Sequence, residues 1–162
     1  MPSPPYSTLT DVVAGLAALE SRFRARGDRR CIFLSLYGVV SAEMQARVAA
    51  NGFADTAWVH RYAVAFANLY REALEAYDEG RAGEVPKAWR LCFDAALAGT
   101  GLVLQDVLLG VNAHVNNDLR ERGVKFILNP DGSQIIPFED LEPGDVVIVP
   151  AFGTTMELFA RL

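Results

Sequence analysis

Two histidines and a set of amides and carboxylates on one stretch hold most of the reactive potential of this chain. His114 is followed four residues later by Asp118, and four residues take just over one helical turn. On a helix the two therefore share a face. A histidine and a carboxylate so placed can ligate one divalent metal, or the carboxylate can orient the imidazole as a general base. Glu121 falls on the same face, and Gln105, Asn112 and Asn116 fall nearly opposite as a candidate ligand-binding row. His60, the other histidine, sits near the start of an aromatic helix, so a metal site of His60, His114 and Asp118 is geometrically conceivable. The competing reading is blander. A His–Asp pair at this spacing is often a helix-surface contact worth about 0.2–0.5 kcal/mol. Asn112 and Asn116 can simply satisfy backbone groups of a neighbouring loop. No paired-histidine metalloprotease word, nucleophile elbow or phosphate-binding glycine loop occurs in the chain.

The stretch that must position these residues, 102–128, begins as an apolar helix, gains its polar cluster midway and hands over to a strand after Gly123. Everything before it reads as helices. Thr10 is the expected N-cap of the first, whose Val12, Val13, Leu16, Leu19 and Phe23 recur at helical spacing before Gly27. Residues 31–40 form a dense apolar segment, assigned to helix because its neighbours are helical and no hairpin signal flanks it. Ser41 is expected to cap a separate helix ending at Asn51-Gly52. Asp55 opens the clearest helix, where Val59, Tyr62, Phe66, Leu69, Tyr70, Leu74 and Tyr77 form one apolar face, and Gly80 stops it. That aromatic stripe reads as core rather than as a ligand pocket. Pro86 suits the first turn of the next helix, which runs to Gly99.

After Gly123 the period changes. Residues 124–128, 134–136 and 146–149 read as short strands, separated by the turn words Asn129-Pro130-Asp131-Gly132 and Pro143-Gly144. One helical turn is expected over 138–141 and a short helix over 156–162.

With 162 residues, 51% hydrophobic and 22% charged, the chain can bury a core and falls outside the disordered class. A net charge of −5 argues against a nucleic-acid surface. Cys31 and Cys92 lack metal-finger spacing and read as two buried thiols in a reducing compartment. No basic segment precedes an apolar run at the N-terminus, and no run is long enough to span a bilayer, so a cytoplasmic, soluble protein with no membrane partner is expected.

Two resemblances flank the polar cluster. Over residues 8–119, the words Arg29-Arg30, Tyr37, Trp58, Phe66-Ala67-Asn68-Leu69-Tyr70, Pro86-Lys87-Ala88-Trp89 and Asn112-Ala113-His114-Val115-Asn116-Asn117-Asp118-Leu119 resemble an uncharacterised bacterial helical family, the domain of unknown function numbered five-nine-nine-five. The resemblance implies an all-helical fold with an Asn/His/Asp cluster on a late helix and no known activity. Over residues 111–162, the same cluster, followed by Val124-Lys125-Phe126-Ile127 and later by Pro150-Ala151-Phe152-Gly153-Thr154-Thr155, is similar to part of hydroxymethylbutenyl diphosphate reductase, an iron–sulfur enzyme of isoprenoid synthesis. Val111 stands where that family has its substrate-binding histidine. Its cluster needs three cysteine thiolates, and Cys31 and Cys92 lie in the unrelated helical part, so no iron–sulfur cluster and no reductase activity are expected.

The expected architecture is mainly α: a helical bundle over residues 8–122, a tail over 1–7 and a small strand-rich α/β appendage over 123–162. So small a sheet is marginal alone and must pack or pair, which predicts a homo-oligomer. Functionally, the sequence reads as a non-catalytic binding or oligomerisation module with no cofactor. The alternatives are a metal-dependent or acid–base enzyme built on His114 and Asp118, and an inactive remnant of the isoprenoid reductase.

Overall fold

The structure is a computed structural model, and the residues it describes are 4–119, 124, 125, 127, 133–142 and 145. It divides into two compact units, Met1–Gly123 and Val124–Leu162. The first contains five α-helices: α1 (Leu9–Ala25), α2 (Cys31–Ala49), α3 (Thr56–Asp78), α4 (Lys87–Ala98) and α5 (Val103–Asn112). A π-helical segment, Ala113–Asp118, continues α5 directly.

The helix starts follow from side-chain caps. Thr8, rather than Thr10, caps α1: its hydroxyl accepts from the Asp11 amide while the Asp11 carboxylate accepts from the Thr8 amide, a reciprocal capping box. That carboxylate also accepts from Ser7, and these bonds hold its pKa down at about 2. Tyr6, placed in a tail by the sequence, is docked by two bonds to Asn68 of α3, at 2.9 and 3.0 Å. Asp55 caps α3 as its position suggests, through the Trp58 amide. α3 and α4 end where Gly80 and Gly99 take positive φ, at 72° and 68°.

The expected break at Ser41 does not occur. Residues 31–49 form a single helix with Ser41 buried inside it. A hydroxyl favours a cap only where backbone donors are free; here neighbouring turns already use them, and burial against the core carries the helix through.

Burial rather than propensity holds the bundle together. Leu16, Phe23, Leu34, Tyr70, Trp89 and Phe93 are almost wholly enclosed, each contributing about 1.5–3 kcal/mol of transfer free energy. Phe33, Tyr37, Tyr70, Trp89 and Phe93 form a continuous ring cluster that joins α2, α3 and α4. Arg30 ties the α1–α2 turn to the C-terminal end of α3. Its guanidinium bonds Asp28 and Asp78 while lying 4.3 Å over the Phe23 ring.

In the second unit the Ile135 and Ile136 amides both donate to the Ile127 carbonyl, at 2.7 and 3.2 Å, and Phe138–Asp140 forms a 3₁₀ turn where a helical turn was expected. The described residues contain no strand beyond a single bridge at Gln134, so the mainly helical class stands, and the strand-rich appendage finds no support among the described residues. Most of the expected strands, the turns between them and the helix over 156–162 lie outside the described residues. Among the described residues no helix is long and apolar enough to cross a membrane.

Candidate functional site

Gly110 makes the site possible. A Cβ there would lie 2.3 Å from Phe33 Cδ2, so only a residue without a side chain lets α5 come this close to α2. The approach is anchored a turn earlier by Asp106. This carboxylate is buried and paired with Arg29, whose Nε donates to it at 2.8 Å and whose second nitrogen also donates to the Gly101 carbonyl at 2.7 Å. A buried carboxylate needs such a partner to offset its desolvation.

Just beyond, the helix widens into the π-helical turn, a feature often found at functional positions. It carries both His114 and Asp118 inward, where they are 6% and 1% exposed. Nδ1 of His114 lies 2.9 Å from Asp118 Oδ2. The other oxygen, Oδ1, accepts from Trp89 Nε1 at 2.9 Å and from the Asn117 amide at 3.0 Å. An ionised carboxylate only accepts, so the imidazole proton sits on Nδ1 and Nε2 presents a bare lone pair. That Nε2 is buried and has no hydrogen-bond partner among the described residues.

Rings enclose the imidazole. Phe66 stacks on it at 3.8 Å between centroids, Tyr37 stands edge-on at 4.4 Å, and Phe33 and Trp89 lie at 5.9 and 6.0 Å. Burial pushes the His114 pKa below its ordinary 6.5, and the Asp118 hydrogen bond and charge oppose that shift without overcoming it. Burial and then the Asp118 charge push the Tyr37 hydroxyl up. The sealed imidazole is therefore neutral near pH 7.

The face shared by His114 and Asp118 thus becomes a buried polar lock and not a surface contact. The opposite row does not act as one group. Gln105 turns back to accept from the Leu102 amide at 2.7 Å, while Asn116 donates to Asn112 at 2.7 Å, both amides being exposed. Gln105 and Asn112 line a groove of about 430 Å³ between α4 and α5, together with Ala95, Leu108 and Leu109. Among the described residues no three His, Cys, Asp or Glu side chains gather as a metal-binding group, so His60 is not brought together with His114 and Asp118. Glu121 lies outside the described residues. Cys92 is a buried thiol pushed up to about 12 by its surroundings, and Cys31 is also free.

Sequence reasoning did not single out Trp89 as the Asp118 partner, the Arg29–Asp106 pair or the π-helical turn. The first two had a signal: an indole and a carboxylate on otherwise apolar helix faces must each find a polar partner once buried. The third had none, because a four-residue spacing suits an α-helix equally well.

No curated protein and no solved structure matches the chain. The likeness of the C-terminal words to the isoprenoid reductase has no counterpart in these comparisons. A family model does match, over residues 9–129, and its description is Family of unknown function (DUF5995). That span covers all five helices, the aromatic cluster and the His114–Asp118 lock, and the chain belongs to this family.

Proposed function

We propose that the bundle is a non-catalytic interaction module, which takes up a partner on the outward face of α5 and the adjoining α4–α5 groove. One observation carries this reading. Between Leu102 and Leu119 the charged residues are Asp106 and Asp118, and both are buried and paired. The outward side is left to Leu104 and Leu108, 64% and 58% exposed, and to the amides of Asn112 and Asn116. Absence of charge beside exposed apolar side chains is what the centre of an interface looks like, not what an ordinary solvated helix looks like. The enclosure of His114 points the same way, since catalysis on a substrate needs the base within hydrogen-bond reach. In extract of cells that make the protein, size-exclusion chromatography should place the wild-type chain in an assembly and the L104E/L108E variant as a free chain. A wild-type chain that elutes free sinks the reading.

A second reading, acid–base chemistry at His114, is favoured by its Nε2, which has no partner among the described residues, and by the carboxylate fixing Nδ1. It requires the ring box to open. Diethyl pyrocarbonate should then modify His114 in the folded chain about as fast as His60, and protection of His114 would remove this reading.

A further inference from the structure

We infer that Asn51 is a modification site, where the backbone of the chain itself converts the side-chain amide to aspartate and isoaspartate, and that the cap closing α2 sets the rate. Asn51 is the one asparagine of the sequence that glycine follows. Asn51 and Gly52 are both exposed, just past the end of α2. Among the described residues, Asn51 is also the one non-glycine residue with positive φ, at 51°.

The cap brings this pair together. α2 ends in a Schellman motif: the Gly52 amide donates to the Arg47 carbonyl at 2.8 Å, and the Asn51 amide donates to the Val48 carbonyl at 3.1 Å. The pivot residue of that motif must be left-handed, and asparagine tolerates this better than most side chains. The next residue passes close to the helix. A Cβ on Gly52 would lie 3.1 Å from the Arg47 carbonyl oxygen, so the turn favours glycine there. Asparagine followed by glycine is also the pair in which the backbone attacks its neighbouring side chain most easily, because no Cβ hinders the attacking nitrogen.

Water is the only co-reactant. The Gly52 nitrogen gives its proton to solvent base and attacks Cγ of Asn51. A bond forms between that nitrogen and Cγ, the Cγ–Nδ2 bond breaks, and the leaving nitrogen takes up a proton and departs as ammonia. A five-membered imide spans the two residues. Water then adds to one of its two carbonyls. Addition at Cγ restores the ordinary backbone and gives aspartate. Addition at the backbone carbonyl leaves the chain running through the side chain as isoaspartate, one methylene longer. Nothing is oxidised or reduced.

The capped state holds this reaction back. The proton that Gly52 must lose is donated to Arg47, so ring closure waits for the end of α2 to open. The product then prevents the cap from closing as before. Either acid places a negative charge at the negative end of the helix dipole and adds to the −5 of the chain. The extra methylene of isoaspartate also puts the two cap bonds out of register, beside Val48, which packs on the core.

Warm incubation of the purified full-length chain, followed by digestion and mass spectrometry that separates aspartate from isoaspartate, tests this. Acid should form at residue 51 ahead of every other asparagine, with isoaspartate in excess. The rate should rise about tenfold per pH unit, because the reacting amide is far below its pKa. It should be at least tenfold slower than in the same chain unfolded in guanidinium chloride. That slowing should match, within about threefold, the protection of the Gly52 N–H from hydrogen exchange, since one opening governs both. N51G keeps a left-handed cap without the amide, so it should stay unmodified there with its helical circular dichroism intact. A folded wild type that keeps Asn51 while the unfolded chain converts overturns the inference, and so does acid that forms first at another asparagine. Equal rates in the folded and unfolded chain overturn the role given to the cap.

Discussion

A neutral imidazole sealed among Phe66, Tyr37, Phe33 and Trp89 ties the stability of the bundle to pH in one direction. Because the folded pKa of His114 lies below 6.5, the unfolded chain binds more protons as the solution is acidified. The contribution is fully present above the unfolded value and is lost as pH falls from about 6.5 toward the lower folded value. Thermal melts between pH 8 and 5 should therefore fall on the acid side, and H114Q should flatten that limb; an unchanged limb in H114Q would assign the effect elsewhere. The lock itself can be tested through its indole. W89F removes the Nε1 donor to Asp118 and part of a fully buried ring, and should cost about 3 kcal/mol in denaturant unfolding, the sum of a bond to a charged group and a small cavity. The sequence made His114 and Asp118 legible as a pair because helix geometry alone brings them together. It could not say whether that shared face looks inward, because this is settled by Trp89, twenty-nine residues away.

Among the elements, α2 and α5 depend most on close approach. G110A adds a methyl group within 2.3 Å of the Phe33 ring. Alanine is favoured over glycine in a helix by about 1 kcal/mol, but overpacking costs about 1–3 kcal/mol, and Phe33 cannot retreat from the Tyr37, Tyr70 and Trp89 rings. The net effect should be a loss of about 1–2 kcal/mol in denaturant unfolding. The same alanine in an F33L background should cost clearly less, and an equal cost in both backgrounds would show that the clash is not what matters. The helices themselves were largely readable, since α1, α3 and α4 have apolar periodicity and glycine stops that agree, and Asp55 caps α3 where expected, whereas the cap of α1 is Thr8 and not Thr10. Residues 31–49 were not, because α2 is apolar around most of its circumference and periodicity says little about where such a helix ends. Its outer residues Leu36, Val39 and Val40 are exposed, so that composition did not signal full burial either.

For the whole molecule, charge and apolar surface pull in opposite directions on association. Association through the uncharged α5 face should not weaken with salt, because that face holds no exposed ion-pairing group for salt to screen. Raising ionic strength from about 0.05 M to about 0.5 M shortens the screening length severalfold and should leave the assembly seen by size-exclusion chromatography intact. An assembly that falls apart with salt would be held by ion pairs on another surface. Composition made the helical class and the acidic balance legible at this scale. The neutral face was visible in the sequence as a long stretch with few charges, but its meaning depended on both carboxylates turning inward, which follows from Arg29 in the α1–α2 turn and Trp89 in α4.

The wide turn at Ala113–Asp118 makes chain length matter more than residue identity there. Removing Val115 alone would let ordinary i→i−4 pairing resume, a gain in local regularity. The wide turn would absorb the loss, so the side chains after it would keep nearly their present angle around the axis. His114 and Asp118 would then stand three residues apart instead of four, as would Asn112 and Asn116, and both bonds would have to re-form at the new spacing. One lost codon there should therefore be felt in the lock, while the helix itself continues.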